Sequence, residues 1–175
     1  LGPREDLPAM SLWAHLVQLA VLMPFGFVLG ALACALIGQA RIAQLAAMLI
    51  SLAMLAVILR AMLVLAPDGA LMWAFADWAP GARSNLRLDA LTGSAALIVT
   101  LAAVFSGLAA WEARDRQNGA ARTACLRLAW AGAASGACLC TDWLETAGWL
   151  TGTGLVLSAL IALQGQPTPR AAALS

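Results

Sequence analysis

Arg60, Arg127 and Glu145 are ionisable residues that fall inside long apolar runs of this 175-residue chain. In hydrocarbon such groups are costly, and they mark candidate ion or proton paths. Two further carboxylates, Asp89 and Asp142, stand at the edges of apolar runs, on the same side as Arg60. A pairing of Arg60 with Asp89, Asp142 or Glu145 would make a proton relay, with Glu145 accepting protons. A structural alternative uses the same residues. Arg60 then snorkels to the interface, Asp142 caps the helix that follows, and Glu145 complements the dipole of that helix from its first turn. Arg127 poses the same choice at the other side, between snorkelling and a pair with Glu112 or Asp115. The single histidine, His15, precedes the first apolar run and suits an interface.

Other chemistries lack their residues. Serines and threonines are scattered without a nearby His and Asp, and no Gly-rich loop precedes a Lys, so no enzyme site is expected in this chain alone. Cys34, Cys125, Cys138 and Cys140 all lie in apolar stretches, where a free thiol acts as a small hydrophobe. Cys138 and Cys140 have no His or second cysteine pair at a metal-site spacing, so no metal and no cofactor are called for.

Composition sets the environment. Hydrophobic residues make up 62% and charged residues 11%, with a mean hydropathy of +0.85. Soluble domains use about 45–50% apolar and about 25% charged residues, so this chain belongs in a lipid bilayer. A net charge of +1, with every basic residue an Arg, offers no face for nucleic acid.

A span needs about 20 apolar residues. Five candidates, at 19–38, 42–65, 91–110, 123–140 and 143–163, predict an all-α polytopic membrane bundle of about five transmembrane helices, in one domain over 1–175. Pro24 falls within the first, where a membrane helix tolerates it if neighbours satisfy the freed carbonyl. Only Thr141 and Asp142 separate the last two, which forces a helical hairpin with almost no loop. The stretch 66–87 is the one sizeable loop, and Trp73, Phe75, Trp78 and Pro80 give it enough apolar bulk to be ordered. The end, 164–175, reads as a disordered tail. No small-residue cleavage pattern closes the first apolar run, so no signal peptide is expected.

With five spans, Arg4, Arg83 and Arg87 share one side, and Arg41, Arg114, Arg116, Arg122 and Arg170 the other. The imbalance predicts an outside N-terminus and a cytoplasmic C-terminus in a bacterial inner membrane. Three small-xxx-small pairs, Gly26 with Gly30, Gly132 with Gly136, and Gly148 with Gly152, allow close helix approach, inside the bundle or onto a partner subunit.

Several segments occur in a familiar order. Pro24 is followed by small and apolar residues through Gly38, Arg41 opens the second run, and Trp78-Ala79-Pro80-Gly81 makes a turn before Leu86-Arg87-Leu88-Asp89-Ala90-Leu91. This order resembles the N-terminal part of the antiporter-like, proton-translocating subunits of respiratory complex I, Mrp-type sodium/proton antiporters and membrane-bound hydrogenases. The most specific match is to the family's Leu-x-Leu-Asp-Gly-Leu signature, carried here by Leu88, Asp89 and Leu91, with Pro24 and the turn residue Asp142 in support.

The resemblance implies a family glutamate in the fifth helix, but at the corresponding spacing from Asp142 this chain has Thr151, and a one-residue gap reaches only Leu150. The family's lysine partners belong to later helices that this chain does not contain. What the resemblance implies is therefore a shortened, degenerate member: an accessory or structural subunit of a larger energy-transducing, ion-translocating complex, with other membrane subunits and the lipid bilayer as its partners. Any link to an enzyme would come through an oxidoreductase complex of that kind. The alternative is an ion or proton transporter, or half of a split one, using Arg60 and Glu145.

Overall fold

The computed structural model describes residues 20–37, 39–65, 69–79, 82–113 and 120–164. Within them lie α1 (Met23–Leu36), α2 (Ala40–Val64), β1 (Leu71–Ala79), β2 (Ala82–Leu88), α3 (Ala90–Ala113), α4 (Ala120–Leu139) and α5 (Trp143–Gln164). The architecture is an all-α bundle carrying one short β-hairpin. Arg4, His15, Arg114, Asp115, Arg116 and the tail from 165 lie outside the described residues.

Among the described residues, three helices are long and apolar enough to cross a membrane: Ala40–Val64, Ala90–Trp111 and Trp143–Leu163. The chain is a membrane protein on that basis. Large side chains such as Leu29, Leu49, Leu63, Phe105 and Leu155 stand exposed on the bundle surface, as lipid contact requires.

Pro24 stands in the first turn of α1, just past a break in the helical run. Ala20 and Val21 are helical, but Leu22 breaks the run, with φ −84° and ψ 3°, and Pro24 then occupies the first turn of α1. A proline there removes an N–H that would have had no helical partner anyway. The Phe25 and Gly26 amides both donate to the Leu22 carbonyl, at 3.0 and 3.2 Å. With 14 residues, α1 rises about 21 Å, short of the roughly 30 Å hydrocarbon core.

The helix α4 is the hub, packing against α1, α2, α3 and α5. Most of its buried positions, Ala120, Ala124, Leu128, Ala131, Gly132, Ser135, Gly136 and Leu139, recur at three- and four-residue spacing and form one inward stripe; Ala133 is buried beside it, facing Gly152 of the following helix. Alanine and glycine there let the neighbours approach closely. Arg122 and Arg127, set among these small residues, leave α4 less apolar than the helices that face lipid, which is why its 20 residues do not rank among the membrane-crossing candidates. Phe27 lies against Gly132 of α4, and Met23 and Ile58 of the other helices are buried with it in the core.

The expected loop at 66–87 is instead built around an antiparallel hairpin. Leu71 pairs with Leu88 and Ala79 with Ala82, with register irregularities between Ala74 and Ala76 and between Asp77 and Ala79. The signal was in the sequence: Pro80-Gly81 between two runs is a two-residue turn composition, masked by the absence of strict alternation in β1. On β2, Leu86 and Leu88 are buried and Arg87 between them is exposed, the period-two pattern of a half-buried strand.

Candidate functional site at the capped end of the bundle

Two helix starts and one strand converge at the end where the hairpin joins the bundle. Leu86 forms an antiparallel bridge with Cys140, and Thr141 donates its amide and its hydroxyl to the Asn85 carbonyl, both at 3.2 Å. The hairpin is thereby stitched to the turn between α4 and α5. On either side of this seam stand Asp89, before α3, and Asp142, before α5.

Asp89 caps α3. Its Oδ1 accepts from the Leu91 and Thr92 amides at 3.0 and 2.9 Å, and the Thr92 hydroxyl accepts from the Asp89 amide at 2.9 Å while donating to the Arg87 carbonyl at 3.0 Å. This is a reciprocal capping box with Thr in the third position. The remaining oxygen, Oδ2, pairs with Arg87 Nε at 3.0 Å. The Thr92 amide foremost, then its hydroxyl, Arg87 and the Leu91 amide, hold the Asp89 carboxyl below the ordinary carboxylate range against a smaller opposing effect of desolvation. Signature residue Leu88 is fully buried, whereas Leu91 is exposed.

Asp142 does the same for α5. Its Oδ1 accepts from the Leu144 amide at 2.7 Å, and its carbonyl accepts from the Thr146 amide at 2.9 Å and the Thr146 hydroxyl at 2.8 Å. Glu145 sits in the first turn, beside the Cys140 thiol, with Oε2 buried and without a hydrogen-bond partner.

Of the four relay candidates, Asp89, Asp142 and Glu145 thus lie at helix starts on one end of the bundle. Asp89 takes Arg87 as its ion partner, and Arg60 stands exposed near the C-terminal end of α2. Thr151, where the family glutamate was sought, is exposed on α5, and its hydroxyl donates to the Ala147 carbonyl at 2.8 Å. Such back-bonding to the preceding turn is how a lone hydroxyl is satisfied on a membrane helix.

Arg127 lies deeper, in the interior of α4. Its Nε donates to the Thr123 carbonyl at 3.3 Å and its Nη1 to the Ser106 carbonyl at 2.7 Å, which ties α4 to α3. Of its two expected carboxylate partners, Asp115 and the Glu112 side chain fall outside the described residues. Sequence reasoning missed Gln44 and Ser51, which are buried on α2. Both are polar residues one heptad apart in an otherwise apolar run, a signal that was available. Among the described residues, no group of three His, Cys, Asp or Glu gathers to hold a metal.

The glycine pairs divide. Gly26 faces Met54 and Gly30 faces Ile50, at the α1–α2 contact. Gly132 lies against the Pro24 carbonyl, where an added Cβ would come within 2.9 Å, and Gly136 lies under the Trp149 ring. Trp149 also meets Phe25 edge-on, with ring centroids 5.9 Å apart at 81°. Gly152 faces Ala133, but Gly148 and Gly154 have nothing near them.

No protein-family model matches the chain, and no curated protein matches it in sequence.

Proposed function

We propose that this chain is an accessory, antiporter-like membrane subunit of a larger energy-transducing complex, without a complete ion path of its own. The observation that carries the reading is the outer face of α5. Ala147, Thr151, Gly154, Ser158 and Ala162 recur along this face and are all exposed, and within α5 the membrane-spanning stretch has none of its residues buried. Lipid is met equally well by leucine, so a ridge of small and hydroxyl-bearing residues is the surface on which another helix packs closely. The occupant proposed is a transmembrane helix of a partner subunit. The thorough capping of Asp89 and Asp142 supports a scaffold role for the signature residues. Thr151 on that same face supports the absence of a proton carrier there.

The test is purification in mild detergent. Recovery with other membrane subunits is expected, and replacing Gly154 and Ser158 by Leu should release them. Isolation as a lone, functional monomer would overturn the proposal. The host membrane in this reading is a bacterial inner membrane, with the C-terminus on the cytoplasmic side.

A second reading, transport by this chain itself, draws on Glu145, whose Oε2 is buried without a partner. Proton-coupled flux in vesicles that survives Glu145→Gln unchanged would remove it.

A further inference from the structure

The interior of the bundle contains a small polar pocket whose contents can be read from its walls. Gln44 and Ser51 of α2, Ala103 and Gly107 of α3, and Ala124 and Arg127 of α4 line a cavity of about 10 Å³, counted as space open to a water's centre. That is room for about one water molecule. Gln44 is only 6% exposed, yet both its amide nitrogen and its amide oxygen are buried without a hydrogen-bond partner. Arg127 Nη2 is buried and unpartnered as well, although its other two nitrogens are bonded. Buried polar groups in native proteins are almost always satisfied. Here three unsatisfied atoms belong to two residues that border the same small cavity.

We infer that this cavity is a binding site for a single ordered water bridging Arg127 and Gln44. The chemistry selects the ligand. Nη2 is a donor and needs an acceptor; the amide oxygen of Gln44 is an acceptor and needs a donor. A halide or other small anion could serve only the donors, and an apolar occupant could serve neither. Water accepts from the guanidinium and donates to the amide oxygen. Its second hydrogen can reach the Ser51 oxygen, which accepts while its own proton goes to the Ala47 carbonyl at 2.9 Å. The bridge would link α2 to α4 as Nη1 already links α3 to α4, so that the Arg127 cation is held from both sides without leaving the bundle.

Radiolytic footprinting of the intact protein in lipid nanodiscs tests this, because hydroxyl radicals formed from an internal water oxidise the side chains beside it. Leu128 lines the cavity and is 1% exposed; Phe27 is 0% exposed in the apolar core. Oxidation of Leu128 is expected several-fold above that of Phe27, despite the greater intrinsic reactivity of an aromatic ring, and should fall several-fold in Gln44→Leu. Leu128 labelled no more than Phe27 in the wild-type protein would overturn the inference. So would a melting temperature that responds to replacing chloride by gluconate in the wild type but not in Arg127→Leu, since the occupant would then be an anion.

Discussion

Thr141 directs both of its hydrogen-bond donors at one acceptor, the carbonyl of Asn85, at 3.2 Å from amide and hydroxyl alike. Together with the Leu86–Cys140 bridge, this residue of the α4–α5 turn ties down the hairpin that precedes α3, between the two carboxylate caps.

Thr141→Val removes the hydroxyl bond and leaves the amide bond. The expected cost is about 0.5 kcal/mol, the low end for a hydrogen bond, because the site is exposed. The sharper readout is hydrogen exchange, where the amides of β2 should open faster while those of α2 remain protected.

Asp142→Ala should lower stability by about 1 kcal/mol, the usual loss for an N-cap carboxylate, measured as thermal unfolding in detergent. Asp142→Asn should recover most of the loss, since an amide oxygen still accepts from the Leu144 amide. Equal losses in the two variants would show that charge, not capping, is what matters there.

The Asp89 carboxyl is depressed in the folded protein, so its contribution is fully present above the unfolded carboxylate value, near pH 4. It fades as pH falls through the lower, folded value, because protons then bind the unfolded chain in preference. Melting temperature should hold steady from neutral pH to about 4 and decline below it, and Asp89→Asn should make the decline shallower.

Gly136→Ala puts a methyl group into the Trp149 ring, and overpacking of this kind costs about 1–3 kcal/mol. Gly148→Ala meets open space and, with the better helix propensity of alanine, should leave the isolated protein at least as stable. Gly154→Ala also meets open space, on the exposed face of small residues; a drop in copurifying subunits there, with no drop in melting temperature, is the pattern expected if that face receives a partner.

The bilayer setting and the helical bundle were legible from the apolar runs, because a hydrocarbon core imposes a length that composition reveals directly. The Asp142 cap was legible too, since it stands at the start of an apolar run, where a side-chain oxygen is needed; Asp89, read from sequence as a relay and signature residue, caps α3 in the same way. The hairpin was harder to see. Its β1 strand, Leu71–Ala79, carries two register irregularities, which disrupt the alternation that identifies a strand. Pro24 was misplaced because apolar residues continue on both sides of Leu22, and nothing in hydropathy distinguishes a proline that begins a helix from one inside it. The Gln44–Arg127 cavity was invisible for another reason. It joins residues far apart in sequence, and only the packing of α2 and α3 around α4 brings them to one place.

The position of α4 at the centre has a consequence for biogenesis. A 20-residue helix of alanine and glycine with Arg122 and Arg127 in its N-terminal half gains little by entering lipid alone, because an Arg near a helix centre opposes insertion by about 2.5–3.5 kcal/mol. Its stable place exists only once α1, α2 and α3 are there to receive it and α5 follows to close the hairpin. The placement of α4 thus depends on its neighbours, and mutations that loosen the early helices should change the accessibility of α4, in a topology assay, before any loss of folded stability is measured.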